Sequence, residues 1–86
     1  MFIQDDSMLK LGTTPLDNIF ILDYLPAAKG DYAKVYLHAL FLSYQPKEDM
    51  NIREMAQDLS MTESEVESAL RYWERRHLIR RVSDNP

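Results

Sequence analysis

Apolar residues in the second half of the chain recur at helical spacing and then alternate with polar ones. The first stripe predicts a short amphipathic helix over residues 52–59 and consists of Ile52, Met55, Ala56 and Leu59. The second predicts a longer helix over residues 62–77 and consists of Val66, Ala69, Leu70 and Trp73. From Leu78 onward the pattern alternates, which predicts a strand over residues 78–83. This order is that of a helix-turn-helix followed by a wing strand.

The turn between these two helices has the clearest local signal in the chain. Thr62 and Glu65 have the spacing of a capping box, in which each side chain bonds the backbone amide of the other residue. Met61 and Val66 have the spacing of the accompanying hydrophobic staple. Together they fix the expected start of the second helix at Thr62.

An extra helix is predicted ahead of this unit, over residues 14–26. Thr14 can cap its N-terminus, Pro15 suits its first turn, and Pro26 is expected to end it because the residue before a proline disfavours helical angles. Residues 1–13 are interpreted as an N-terminal extension or as short strands.

A central helix is predicted over residues 31–45, with Asp31 as its N-cap. Its residues are apolar on nearly every side, which is typical of a helix buried at the centre of a domain. The expected fold is therefore mainly α, a single winged-helix domain over residues 1–86 with an extra N-terminal helix. Its wing has one strand, and the N-terminal residues are a candidate to complete the sheet.

The composition is that of one small globular domain. Eighty-six residues correspond to a single domain, and 45% hydrophobic with 28% charged residues is ordinary for a globular protein. The chain has no cysteine, which excludes disulfides and thiolate metal sites. The acidic N-terminus does not resemble a secretory signal, and no apolar run has the length of a membrane span. A cytoplasmic location is expected, without a membrane partner.

Residues suited to catalysis are scarce. His38 and His77 have no carboxylate or second histidine at metal-ligand spacing, and we interpret both as packing or surface residues. Gly12 and Gly30 are the only glycines, so there is no glycine-rich phosphate loop. We expect no enzyme activity, no cofactor and no catalytic, cofactor-binding or metal residues.

Charge is distributed unevenly. The chain has a formal net charge of −4, which disfavours a stand-alone nucleic-acid binder. Residues 71–82 nevertheless contain five arginines and one glutamate, a net charge of +4, which leaves −8 for the rest. These candidate contacts to a DNA backbone are Arg71, Arg75, Arg76, Arg80 and Arg81. A solvated helix end, with Glu67 paired to Arg71, accounts for them equally well.

The N-terminal half of the second helix is acidic where a DNA reader would need donors. In a helix-turn-helix these positions face the base edges, and base contacts are dominated by arginine, lysine, asparagine and glutamine. The exposed positions are expected to be Glu63, Ser64, Glu67 and Ser68. Glu63 and Glu65 in the first turn also complement the helix dipole, and this explanation without DNA is favoured over base reading.

Two stretches of the chain resemble a known family. They are DYLPAAKGDYAKVYL at residues 23–37 and RYWERRHLI at residues 71–79. Together they are similar to the N-terminal domain of DnaD-like replication initiation proteins of Gram-positive bacteria and their phages. The resemblance covers residues 14–82, with His77 standing where such sequences often have glycine.

The resemblance implies a winged helix used for self-association and for contacts with other replication initiation proteins in the primosome. In that family a separate C-terminal domain binds DNA, and these 86 residues do not include one. Partners are therefore expected to be a second copy and other initiation proteins, with any DNA contact weak and non-specific. The candidate interface residues are Leu9, Leu11, Leu16, Ile19, Phe20, Glu63 and Glu67. A DNA-binding winged-helix transcription regulator is the alternative.

Overall fold

A computed structural model of the chain describes residues 12–45 and 51–80. Within these residues lie three α-helices: α1 at Gly30–Ser43, α2 at Ile52–Leu59 and α3 at Glu63–Arg75. Residues 18–27, here called the N-terminal helical segment, precede them. The described part of the chain is mainly helical and contains no strand.

The core lies where α1, α2 and α3 meet. Every residue of the two predicted stripes is buried in it or packs against its edge. Its buried cluster consists of Val35, Ala39, Met55, Ala56, Val66, Ala69 and Leu70. Full burial of one of the larger aliphatic side chains contributes about 1.5–3 kcal/mol, which is a large fraction of the net stability of a small domain.

Two side-chain hydrogen bonds fix α1 against its neighbours. The indole Nε1–H of Trp73 donates to the carbonyl of Tyr32 at 2.7 Å, which joins α3 to the first turn of α1. The ammonium Nζ of Lys34 donates to the carbonyl of Leu59 at 2.8 Å, which joins α1 to the end of α2. The two bonds tie the N-terminal half of α1 to α3 on one side and to the end of α2 on the other.

The turn between α2 and α3 agrees with the predicted capping box. The Glu65 amide donates to Thr62 Oγ1 at 3.1 Å, and the Thr62 amide donates to Glu65 Oε1 at 2.9 Å. The hydrogen bond from the Thr62 backbone amide, and secondly a hydrogen bond from the Thr62 side chain, lower the pKa of the Glu65 carboxyl below its usual range. Helix α2 occupies the predicted range, and its cap is Asn51, whose side chain accepts from the Glu54 amide at 3.1 Å. Sequence reasoning missed this cap.

The turn that closes the C-terminus of α3 contains a left-handed residue that is not glycine. His77 has a φ of 61°, its amide donates to the Glu74 carbonyl at 3.0 Å, and the Leu78 amide donates to the Trp73 carbonyl at 3.1 Å. This pair of bonds is the Schellman motif, in which glycine is the usual left-handed residue. His77 therefore occupies the backbone conformation that glycine would occupy, at some steric cost.

Substituting His77 with glycine is expected to raise the free energy of unfolding by about 0.5–1 kcal/mol. Relief of the left-handed conformation contributes about 1–2 kcal/mol, and the greater freedom of glycine in the unfolded chain offsets part of it. Urea denaturation measures the change. As a matched control, Arg75→Gly, two residues earlier and within α3, should lower stability by about 1 kcal/mol. A destabilised His77→Gly variant would contradict the left-handed assignment.

The N-terminal helical segment differs from the predicted helix over residues 14–26. Residues 12–17 are not helical, so Thr14 is not its cap. The segment contains a π-turn at Phe20–Tyr24, with the Leu25 amide donating to the Phe20 carbonyl, and a 3₁₀ turn at Leu25–Ala27. Pro26 lies inside that 3₁₀ turn near its start, where its missing N–H leaves no bond unmade. The helical path therefore runs past Pro26.

Helix α1 also begins and ends earlier than predicted. It starts at Gly30, with Lys29 at the cap position and no side-chain cap, so Asp31 lies in the first turn and is not the N-cap. A carboxylate there still complements the helix dipole. The helix ends at Ser43, and the Tyr44 and Gln45 amides close it with bonds to Phe41 and Leu42 at 3.1 Å each.

The predicted wing is not seen in the described residues. Residues 78–80 leave the Schellman turn without strand pairing, and residues 81–83 lie outside the described part of the chain. A strand needs a neighbouring strand to satisfy its backbone groups, and the described residues supply none. The extension or strands predicted at residues 1–13 lie outside the described residues except for residues 12 and 13, which are not in a strand.

Candidate functional site

The outer face of α3 combines hydroxyl and guanidinium groups. Its exposed stripe lies opposite the buried one and consists of Ser64, Ser68, Arg71 and Arg75. These residues are spaced i, i+4, i+7 and i+11, so they share one face of the helix. The stripe carries hydrogen-bond donors along its whole length. The sequence predicts Glu63 and Glu67 beside Ser64 and Ser68 as the exposed positions of its N-terminal half.

The glutamates in the N-terminal half of α3 flank this stripe, and the partners of Glu65 and Glu67 show how these two are held. Glu65 is held in the capping box with Thr62. Glu67 is half-buried, with its Oε1 3.4 Å from Nε of Arg71. Glu63 is exposed in the first turn. Of the two carboxylates predicted for this half of α3, Glu63 is exposed and Glu67 is half-buried, and the exposed Glu65 adds a third.

The arginines do not form one patch. Arg76 lies over the ring of Tyr72, 3.5 Å from its centroid, and its Nη1 donates to the Tyr72 carbonyl at 3.3 Å. Arg71 and Arg75 share the outer face of α3, whereas Arg80 lies beside α1 in a shallow groove of about 150 Å³. Arg81 is outside the described residues. Two of the five predicted backbone contacts therefore share a surface.

Phe20 is a core residue, which corrects its prediction as an interface residue. It is 3% exposed, its ring stacks on Tyr36 at 4.0 Å between centroids, and it lies 5.3 Å from the Trp73 ring. Burial, together with the negative charge of Asp17, raises the pKa of the Tyr36 hydroxyl. Phe20 anchors the N-terminal helical segment to α1 and α3.

The other N-terminal candidates have different environments. Ile19 is 64% exposed and Leu16 is half-buried, while Leu9 and Leu11 lie outside the described residues. Leu22 is 72% exposed and Ile21 is also exposed, although neither was predicted as an interface residue. Ile19, Ile21 and Leu22 are here called the N-terminal patch. It is apolar and adjoins the buried Phe20 in sequence.

A second apolar surface lies on α1 and its C-cap residue, and is here called the α1 stripe: Leu37, Phe41 and Tyr44. These residues are spaced i, i+4 and i+7, and 45%, 45% and 56% of their surface is exposed. Sequence reasoning missed it because a helix apolar on every side was expected to be buried on every side. Two partner helices, however, cover only part of the circumference of a third. This geometric limit could have predicted that one side of α1 stays exposed.

The pair formed by His38 and Asp58 is the candidate for histidine-based catalysis in the described residues. His38 Nε2 lies 3.4 Å from Asp58 Oδ2 at a polar cleft of about 230 Å³. Among the described residues, no hydroxyl, thiol or lysine lines that cleft, so the pair has no such group to activate as a nucleophile. Across residues 12–45 and 51–80, no three metal-ligating side chains cluster. We therefore assign no catalytic site to this pair.

Comparisons of the chain with protein-family models, with curated proteins and with solved structures give no match. Among the described helices, none combines the length and the apolar character needed to cross a membrane. The surfaces of the chain itself are therefore the basis for inferring its function.

Proposed function

We propose that this chain is a protein-interaction and self-association module of a DnaD-like replication initiation protein. In this proposal it is a winged-helix domain that acts in the cytoplasm at the nucleoid, within a primosome. The observation that carries the proposal is the pair of exposed apolar surfaces, the N-terminal patch and the α1 stripe.

Apolar surface of this kind favours protein partners. Six large apolar side chains are at least 40% exposed in the described residues, and all six lie on two elements. Large apolar side chains concentrated on the surface of a small protein are typical of interaction sites, since leaving them in water costs free energy that a partner recovers. A phosphate-rich ligand would gain nothing from these side chains.

The fold also brings together the two stretches that carry the family resemblance. Tyr32 and Tyr36 belong to the first stretch, and Trp73 belongs to the second. The Trp73 indole donates to the Tyr32 carbonyl, and its ring lies 5.1 Å from that of Tyr36. The resemblance therefore rests on residues that stabilise one another, which supports reading the two stretches as one unit.

Sedimentation velocity of the 86-residue chain between about 10 and 500 µM tests the proposal. We expect a dimer or larger species that grows with concentration, because micromolar association corresponds to about −8 kcal/mol, within reach of a small apolar interface. A monomer over the whole range would reject self-association as the function.

A DNA-binding transcription regulator is the second candidate, and the outer face of α3 favours it. Serine hydroxyls and the guanidinium groups of Arg71 and Arg75 are suited to phosphate contacts. If this function is correct, duplex DNA binds at low salt, and the double variant Arg71→Ala, Arg75→Ala binds less tightly with a salt slope lower by about 2. Absence of any binding at low salt would reject it.

A further inference from the structure

We propose that a second copy of this chain covers the α1 stripe, with the two α1 helices packed antiparallel about a two-fold axis. The inference rests on the proposed self-association and assigns a surface to it. It also leaves the N-terminal patch available to a different protein.

The solvent-facing side of α1 has the spacing of a coiled-coil seam. Ala33, Leu37, Leu40 and Tyr44 follow one another at intervals of four, three and four residues. Leu37 and Tyr44 are exposed, Ala33 and Leu40 are half-buried, and Phe41 flanks them. No charged residue occupies any of these positions. Such a seam is matched by another helix with the same spacing.

Side-chain size favours a second copy in the antiparallel direction. A two-fold axis between residues 38 and 39 places Leu37 opposite Leu40 of the second copy, and Ala33 opposite its Tyr44. Each end of the seam then pairs one small and one large side chain, which fills space evenly. A parallel pair would instead leave a void between two alanines and crowd two tyrosines, and both defects destabilise packing.

Charge favours the same direction. Lys34 is the one lysine or arginine within α1, and its ammonium is held beside α2 by the Leu59 carbonyl at 2.8 Å. Arg80, outside α1, lines the groove beside Leu40. In a parallel pair the two copies of Lys34 would flank the same layer. In the antiparallel pair they are separated by about 13 Å along the axis, given a rise of about 1.5 Å per residue, which exceeds the screening length of about 8–10 Å in salt.

The seam is small, so the dimer is expected to be weak. It has four layers along α1 and its C-cap, which is short for an interface when a standard one buries roughly 800 Å² per partner. We therefore expect a dissociation constant in the micromolar range, and the experiments below use concentrations above it.

Charge placed in the seam tests the surface. Leu37→Lys is expected to raise the dissociation constant at least about 30-fold, because the ammonium would be desolvated against Leu40 of the second copy. Ile19→Lys, which places the same charge on the N-terminal patch, should change the constant less than about threefold. Both side chains are exposed in the monomer, so circular dichroism should show both variants folded.

Cysteine pairs test the direction of packing. The chain has no cysteine, so every disulfide that forms reports an engineered pair. Under mild oxidation, A33C mixed with Y44C should cross-link, whereas either variant alone should not, because facing Cα atoms must lie within about 7 Å. A parallel pair would cross-link each variant with itself.

The outcomes separate the two proposals. Mixed cross-linking together with dissociation by Leu37→Lys supports the antiparallel α1 dimer. If the chain associates but Leu37→Lys has no effect, or Ile19→Lys is the variant that dissociates it, the α1 inference is overturned and the proposed function stands. If each cysteine variant cross-links with itself, the antiparallel arrangement is overturned. If the unmodified chain stays monomeric to 500 µM, its association is weaker than about −4.5 kcal/mol, and both proposals are rejected.

Discussion

Replacing Phe20 with alanine is expected to lower the free energy of unfolding by about 3–4 kcal/mol. Its ring is 3% exposed and stacks on Tyr36 at 4.0 Å, so removing it leaves a cavity between α1 and the N-terminal helical segment. Phe20 is the one buried residue of that segment, and its loss should release the segment from the helices. The effect is a large share of the stability of a domain this size.

Chemical denaturation followed by circular dichroism measures this change. Ile19→Ala is the matched control, one residue away in the same segment but 64% exposed, and it should change stability by less than about 0.5 kcal/mol. If Phe20 were instead an interface residue, its substitution would weaken self-association and leave the stability of the monomer unchanged. That result would restore the interpretation drawn from the sequence.

Replacing Trp73 with phenylalanine is expected to lower the free energy of unfolding by about 2 kcal/mol. The smaller ring leaves a void among Phe20, Tyr36 and Tyr72, whose rings lie about 5 Å from the indole. The variant also loses the 2.7 Å hydrogen bond from Nε1 to the Tyr32 carbonyl, worth about 0.5–1.5 kcal/mol. Phenylalanine keeps part of the contact, so the variant should still fold.

Tyr72→Phe is the control for Trp73→Phe. It keeps the aromatic ring that Tyr32 and Arg76 contact and removes only a hydroxyl, so a change within about 0.5 kcal/mol is expected. Thermal unfolding of the two variants under one set of conditions gives the comparison. Equal destabilisation of both would contradict a special contribution from the indole N–H.

The helix-turn-helix order could be predicted because its signals are local. Thr62 and Glu65 satisfy each other within one turn, and no other part of the chain is needed to make that bond. The stripes of α2 and α3 have a polar side and an apolar side, so their buried faces are defined by spacing alone. For these helices the pattern contains nearly all the necessary information.

Which residues of the N-terminal helical segment and of α1 are buried depends on tertiary packing. Ile19, Phe20 and Leu22 are all strongly apolar, yet Phe20 alone of the three is buried. The π-turn at Phe20–Tyr24 rotates the side chains away from the regular helical phase, so spacing does not identify the buried one. In α1, apolar residues occur on every side, so their spacing does not indicate which side faces the core. Which side stays exposed is decided by where α2 and α3 pack.

The candidate site was predicted as a set of residue types but not as an arrangement. Five arginines within 12 residues suggested one basic patch. Arg76 instead packs on Tyr72, and Arg71 lies close to Glu67. Helical geometry separates neighbours in sequence by about 100° around the axis, so a charge run in a helix spreads over several faces. Local charge counts therefore overestimated the basic surface.

The position of Trp73 gives the domain a built-in optical reporter. It is the only tryptophan of the chain, it is fully buried, and three aromatic rings surround it. Its fluorescence therefore comes from the single point where the N-terminal helical segment, α1 and α3 meet. Emission at short wavelength reports that all three are assembled, and a shift to the red reports that any one has separated. Assembly of these three elements can thus be followed in the unlabelled protein.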